Sequence, residues 1–223
     1  TLMRSADDWF APVERLWEQY RKSVDLSLWQ RLNFQQGVLM QSPAPGHLVI
    51  YNASGSNLAS AVIESATLPL INGVQPQSLV LDHTLYWYRA SSADEAHYLS
   101  ALLNAPCVDA AIKPYQTYGT MGARHVHRRP FEVCAMAPFD AGNADHLRLA
   151  ALSREAHAMV AALGAGLAGG GVVAARKLAR QAAHTAIVEI DAIAQRLLGL
   201  PGVASSDTGE TAGDAAIEAD DGE

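Results

Sequence analysis

The chain holds only two cysteines in 223 residues, Cys107 and Cys134. Two thiols build neither a disulfide framework nor a zinc set, so both read as reduced core residues of a cytoplasmic protein. No apolar run reaches the roughly 20 residues that cross a bilayer, and no membrane partner is expected. The G-x-x-x-x-G-K-[ST] phosphate loop is missing, as is the G-x-S-x-G nucleophile elbow. Without that elbow a Ser–His–Asp set has no local signature. Gly164-Ala-Gly166-Leu-Ala-Gly169 does match G-x-G-x-x-G, and Glu189 stands twenty residues beyond it. That pattern works only between a strand and a helix N-terminus, where backbone N–H groups face a pyrophosphate. A helical pattern precedes it here, so the glycines read as a chain reversal and no cofactor is assigned to this chain.

Charge of one sign is locally scarce as well. The net charge of −7 comes from the end of the chain, because residues 201–223 carry seven acids and no Lys or Arg. The remaining 16 acids face 16 bases, so residues 1–200 are neutral, and the overall sign says nothing against an anionic partner. Residues 110–131 contain no Asp or Glu, yet they include Lys113, Arg124, Arg128 and Arg129. Tyr115, Tyr118, His125 and His127 lie among them, with Gly119 and Gly122 to loosen the backbone. Such a loop suits a polyanion, since cations neutralise phosphate and rings lie against bases or sugars. A solvated surface loop is the plainer alternative. His125-x-His127 with Cys134 offers three metal-ligand types but lacks a complete set at sensible spacing, so no metal is expected. Asn52, Ser54 and Asn57 form a second polar group, read as a turn bonding its own backbone.

The rest of the pattern predicts an α+β fold: a small mixed or antiparallel sheet flanked by helices, then a C-terminal antiparallel helical hairpin. Residues 8–22 read as an amphipathic helix capped by Asp7 or Asp8, with Trp9, Val13, Leu16, Trp17 and Tyr20 on one stripe. A short helix is expected at 26–32. Strands are predicted at 47–52 and 78–89, where β-branched and aromatic residues gather, and a shorter one at 131–136; residues 58–63 are ambiguous. A helix over 92–104 is capped by Ser91 or Ser92, and a further turn or two follows at 108–115. Leu149, Leu152, Ala156, Met159 and Leu163, then Ala183, Ile187, Ile190, Ala194 and Leu197, step by three and four, which predicts two helices joined at 164–171. Arg176, Lys177, Arg180 and Arg196 on the second read as solvated helix charges. The expected organisation is an α+β recognition-type domain over 1–141, a hairpin packed on it over 142–200, and an acidic disordered tail over 201–223. The opening TLMRSADDWF is neither a signal peptide nor an initiator context, and it reads as cut from a longer protein.

Taken in order, four segments carry a family likeness. They are YNASGSNLASAVI (51–63), LVLDHTLYWYRASSADEAHYLSALLNAP (79–106), YGTMGARHVHRRPFEVCAMAPFD (118–140) and HLRLAALSREAH (146–157). As an ordered set over most of 28–200, together with a last helix ending IDAIAQRLLG, they resemble the C-terminal target-recognition region of adenine-N6 DNA methyltransferases of bacterial restriction-modification systems. Asn104-Ala-Pro106 stands where that family has Asn-Ser, and Met136-Ala-Pro138 where it has Ile-Pro. The resemblance implies a specificity module for double-stranded DNA, working beside a catalytic methyltransferase domain in the same or a partner chain. That domain binds S-adenosylmethionine and presents a flipped adenine to an Asn/Asp-Pro-Pro-aromatic motif. This chain has no Asn-Pro, Asp-Pro or Pro-Pro pair and no Glu-x-Lys nuclease element, so it is expected neither to methylate nor to cut DNA. Within such a module Lys113, Arg124, Arg128 and Arg129 are candidate phosphate contacts. Gln116, Thr117, His125 and His127 are candidate base-edge readers, and Tyr115 or Tyr118 would stack. The alternative is a protein-interaction module, in which the helices and this loop serve only to dock on the catalytic domain or subunit.

Overall fold

The computed structural model describes residues 6–22, 24–33, 37–71, 73–82, 84–119, 122–123, 125–167 and 171–202. The acidic tail anticipated at 201–223 therefore lies almost wholly outside the described residues. The fold is α+β, with two compact units: Thr1–Pro45 with Ser65–Thr84, and Gly46–Glu64 with Leu85–Glu223. The division between them does not fall at residue 141.

In the first unit α1 (Ala6–Tyr20) and α2 (Leu28–Leu32) form as the pattern predicts, although Asp7 and Asp8 lie inside α1 rather than capping it. Ser27 caps α2 through a reciprocal box with Gln30: Gln30 N–H donates to Ser27 Oγ at 3.2 Å, and Ser27 N–H donates to Gln30 Oε1 at 2.8 Å. Phe10 stacks on Trp29 at 4.4 Å. The Gln41 carboxamide accepts from Leu81 N at 3.0 Å and donates to its carbonyl, tying two distant segments. Among the described residues of this unit Leu28 is the only buried hydrophobic side chain.

The second unit is layered around α3. A three-stranded antiparallel sheet runs in the order β2–β1–β3, from β1 (His47–Asn52), β2 (Ser60–Glu64) and β3 (Leu85–Ala90). Val49 pairs with Val62 on one side and Tyr88 on the other. Since side chains alternate along a strand, these three share the face that also carries Tyr51 and Tyr86. Both Val49 and Tyr51 belong to the core, with Val62 and Tyr86 packed against it. On this sheet lies α3 (Ala93–Leu103), capped by Ser92 through Glu95 N–H at 3.1 Å. The hairpin of α6 (Ala144–Ala162) and α7 (Gly171–Leu198) packs against α3, and α4 (Pro106–Ile112) against α7. α6 begins at an Asn143 cap. It ends at Leu163, where Gly164 takes the left-handed φ of 49° that only a residue without Cβ adopts at no cost. Of the seam residues Leu149, Leu152, Ala156, Ala183, Ile190 and Ala194 are buried, and Met159, Leu163, Ile187 and Leu197 are half-buried.

Two predicted strands need correction. The strand expected over 78–89 forms only from Leu85, because the Asp82 carboxylate accepts from Thr84 N at 2.9 Å and folds a local turn there. The strand expected at 131–136 is instead the helix α5 (Arg129–Val133). Pro130 sits in its first turn, where the fixed φ favours a helix start and the missing N–H is not needed. The ambiguous stretch 58–63 contributes β2, and its edge is finished by a side chain. The Asn104 carboxamide accepts from Ser60 N at 3.0 Å and donates to Ser60 O at 2.9 Å, standing in for a fourth strand. Asn104→Ala is expected to cost about 2 kcal/mol, because it leaves both Ser60 backbone groups unmatched; urea denaturation measures it.

Candidate nucleic-acid interface

The basic segment is built around the loop at 53–58. Asn52 fixes that loop by donating to Ser54 O at 2.8 Å and Asn57 O at 3.0 Å while accepting from Ala59 N at 2.9 Å. The turn thus bonds its own backbone, as its composition predicts. Gly55 is required here, since its φ is 143° and a Cβ would meet Asn52 Nδ2 at 2.9 Å. From outside, the Asp109 carboxylate accepts from Leu58 N at 2.8 Å, and Lys113 Nζ donates to Ser56 O. Ala53 O accepts from both Val126 N at 3.0 Å and His127 N at 3.1 Å. Val126 is fully buried and pins the segment, so that its neighbours His125, His127 and Arg128 stand exposed.

These three form a ridge with the aromatic residues of the sheet edge. The His125 and His127 rings lie parallel with centroids 4.9 Å apart. His127 Nδ1 meets the Tyr86 hydroxyl at 3.3 Å. Tyr86 stacks on Tyr51 at 5.3 Å, and Tyr51 tilts against Phe131 at 6.1 Å. Burial and the neighbouring Tyr86 phenol push the Tyr51 pKa well up, and the Arg128 charge opposes them. His127 is the one described non-glycine residue with positive φ, 46°. Histidine tolerates this region better than most residues, but the conformation still costs about 1–2 kcal/mol. The surrounding bonds hold the backbone in that conformation, aiming two imidazoles outward.

The remaining predicted residues divide. Lys113 pairs with Asp109 at 3.1 Å besides holding the loop, and Arg129 pairs with Glu132 at 2.9 Å. Gln116 is 4% exposed and reaches Gly55 O at 3.5 Å. Lys113 and Gln116 support the loop, and Arg129 supports α5 through one N–H while its side chain stays 43% exposed. Tyr115 is 54% exposed, and Thr117 is exposed. Arg124 and the side chain of Tyr118 lie outside the described residues; the backbone at Tyr118–Gly119 pairs with Gly122–Ala123 in a two-stranded ladder. The histidine rings stack side by side, Cys134 is buried, and among the described residues no group of three metal ligands forms. Cys107 is also buried, its thiol pKa pushed up first by burial and then by its bond to Asp191. The glycine-rich stretch at 164–169 follows a helix, and Glu189 is held by Arg148 at 2.7 Å. Among the described residues no helix is long and apolar enough to cross a membrane.

One polar cluster escaped the sequence reading. His97 Nδ1 meets Ser153 Oγ at 3.0 Å, and its Nε2 lies 4.0 Å from Glu64. His157 Nε2 accepts from Val62 N at 3.0 Å, and its Nδ1 donates to Ser153 O at 2.7 Å. The line Glu64–His97–Ser153 has the residue types of an acyl-transfer triad but with the ring nitrogens exchanged, since Nδ1 rather than Nε2 faces the serine. Ser153 is only 2% exposed, so no acyl group reaches its oxygen, and the cluster serves as a clasp between sheet, α3 and α6. Its available signals were the Ser153/His157 spacing and a histidine inside an apolar helix. No family model matches this chain, and neither a similar curated protein nor a similar solved structure is found.

Proposed function

We propose that this chain is a DNA target-recognition module of an adenine-N6 methyltransferase, acting beside a separate S-adenosylmethionine-binding catalytic domain and catalysing nothing itself. The observation that carries the reading is the exposed ridge of His125, His127 and Arg128 beside the Tyr86–Tyr51–Phe131 row. It combines a permanent cation, hydrogen-bonding imidazoles and aromatic edges on a backbone fixed by Ala53 and Val126. A rigid mount suits a reading surface, because loop ordering on binding costs affinity. Arg128 takes a phosphate, while His125, His127, Thr117 and Tyr115 meet base edges or sugars. Arg124 and Tyr118 keep their assigned roles in this reading. Lys113, Gln116 and Arg129 act through the loop and α5 that they support.

The test is the salt dependence of duplex binding. Arg128→Ala is expected to reduce the magnitude of the log–log slope by about 0.9, the share of one phosphate contact. Anisotropy of a labelled random-sequence duplex across a salt series measures this. An unchanged slope and affinity would remove Arg128 from the interface.

A second reading concerns the other unit. Leu16, Tyr20, Trp29, Leu39, Met40 and Ile71 are all exposed there, and it buries little of its own. This apolar surface supports a protein-interaction role, docking on the catalytic methyltransferase domain or subunit. Gel shift with and without that domain separates the two readings: a docking module alone leaves the duplex unshifted in both lanes.

A further inference from the structure

Residues 156–188 also contain no Asp or Glu, and they carry Arg176, Lys177 and Arg180. On α7 the residues Lys177, Arg180 and His184 follow steps of three and four, so they share one stripe, and all three are exposed. With its carboxamide oxygen turned toward α7, Asn57 accepts from the Arg180 guanidinium at 3.1 Å, and its nitrogen donates to Ser56 O at 3.2 Å. Arg180 therefore stands at one end of the loop at 53–58. His125 stands at the other, bridged to Ser54. Asn52 Nδ2 donates to both Ser54 O at 2.8 Å and Asn57 O at 3.0 Å, so the loop is a closed turn with its two ends side by side. Two acid-free cationic stretches, far apart in the chain, converge on opposite ends of one short loop.

The nearby carboxylates are already engaged. Asp109 takes Leu58 N and Lys113, Asp191 takes Cys107 N at 2.7 Å and Gln195 at 2.6 Å, and Glu189 is held by Arg148. Residues 1–200 balance their charges, so any attraction for an anion has to come from local placement of this kind.

We propose that the Lys177–Arg180 stripe of α7 and the His125–Arg128 ridge form one phosphate-contacting surface with the loop at 53–58 as its floor, and that its partner is duplex nucleic acid lying across the loop. The proposal rests on the DNA-binding reading and extends it to a second element. Cations on both flanks of one loop suit a polyanion lying across it, since each phosphate they neutralise releases condensed counterions. The hydrogen-bonded floor ties both flanks to the same loop.

The experiment compares the full chain with the double variant Lys177→Ala/Arg180→Ala, with Arg128→Ala, and with Arg196→Ala. The last removes a cation from the same helix that is already held by Asp145 at 2.9 Å. All substitutions are at exposed positions, and circular dichroism confirms that the helices persist. With a labelled random-sequence duplex, the double variant is expected to reduce the salt slope by about 2, Arg128→Ala by about 1, and Arg196→Ala by nothing measurable. If Arg128→Ala weakens binding and the double variant does not, the α7 extension is overturned and the DNA reading survives. If Arg196→Ala matches the double variant residue for residue, binding is diffuse attraction and the shared surface is overturned. If the unaltered chain shows no salt-dependent binding, both fail together.

Discussion

Leu102→Ala is expected to lower the free energy of unfolding by about 3–5 kcal/mol. Leu102 has no exposed surface and lies on α3, the element that touches the sheet on one side and the α6–α7 hairpin on the other. Truncation removes the transfer energy of the lost carbons and leaves a void that layers on both sides would have to collapse to fill. Helix propensity does not add to the cost, since Ala is the better helix former. A domain of this size holds about 5–15 kcal/mol in total, so the variant approaches marginal stability. Leu147→Ala on α6, at a side chain 41% exposed, serves as the comparison and should stay within about 0.5 kcal/mol. Urea denaturation followed by circular dichroism measures both. A loss below about 1 kcal/mol at Leu102 would mean that α3 is not the keystone layer.

The legibility of the elements followed the strength of local signals. β1 matched its prediction over His47–Asn52 because Pro45-Gly46 and the 53–57 turn bracket an apolar run on both sides. The reading overextends β3 because SLVLD has the right composition, while the Asp82 turn that interrupts it depends on hydrogen bonds from Thr84 alone. The helix at Arg129–Val133 was missed for the converse reason: Val and Phe argued for a strand, and the proline ahead of them decided otherwise.

The candidate site was half legible, and the illegible half is instructive. The acid-free window 110–131 starts one residue after Asp109 and stops one residue before Glu132. Those two carboxylates hold Lys113 and Arg129 at spacings of four and three. Both pairings could have been read from the sequence, since such spacings place side chains together on a helix. A count confined to the window left them out. Gln116 reads as a polar loop residue, and nothing local marks its burial. The convergence of residues 52–58, 109–116, 125–128 and 180 on one loop lies beyond any local pattern, because it depends on how α4 and α7 pack. The clasp of His97, Ser153 and His157 was hidden likewise: its bonds span 56 and 95 residues.

That clasp makes stability depend on acidity. Burial first, then the charges of His157, Arg154 and His47, lower the His97 pKa from 6.5 to about 4, and Asp94 opposes them. Glu64 at 4.0 Å pulls the other way by distance. It is 36% exposed and lies closer to His47, at 3.7 Å, so burial prevails. A folded-state pKa below the unfolded one means that the unfolded chain binds more protons between the two values. Stability therefore rises with pH across that window. The contribution is fully present above about pH 6.5 and lost as pH falls toward 4, amounting to about 3 kcal/mol. Replacing the ring in His97→Gln keeps a hydrogen-bonding group for Ser153 and removes the titration. Its unfolding free energy should vary less between pH 7.5 and 4.5 than that of the parent, by about 2–3 kcal/mol. Equal pH dependence in the two proteins would show that His97 changes its proton as easily folded as unfolded, and the clasp would then have no part in acid sensitivity.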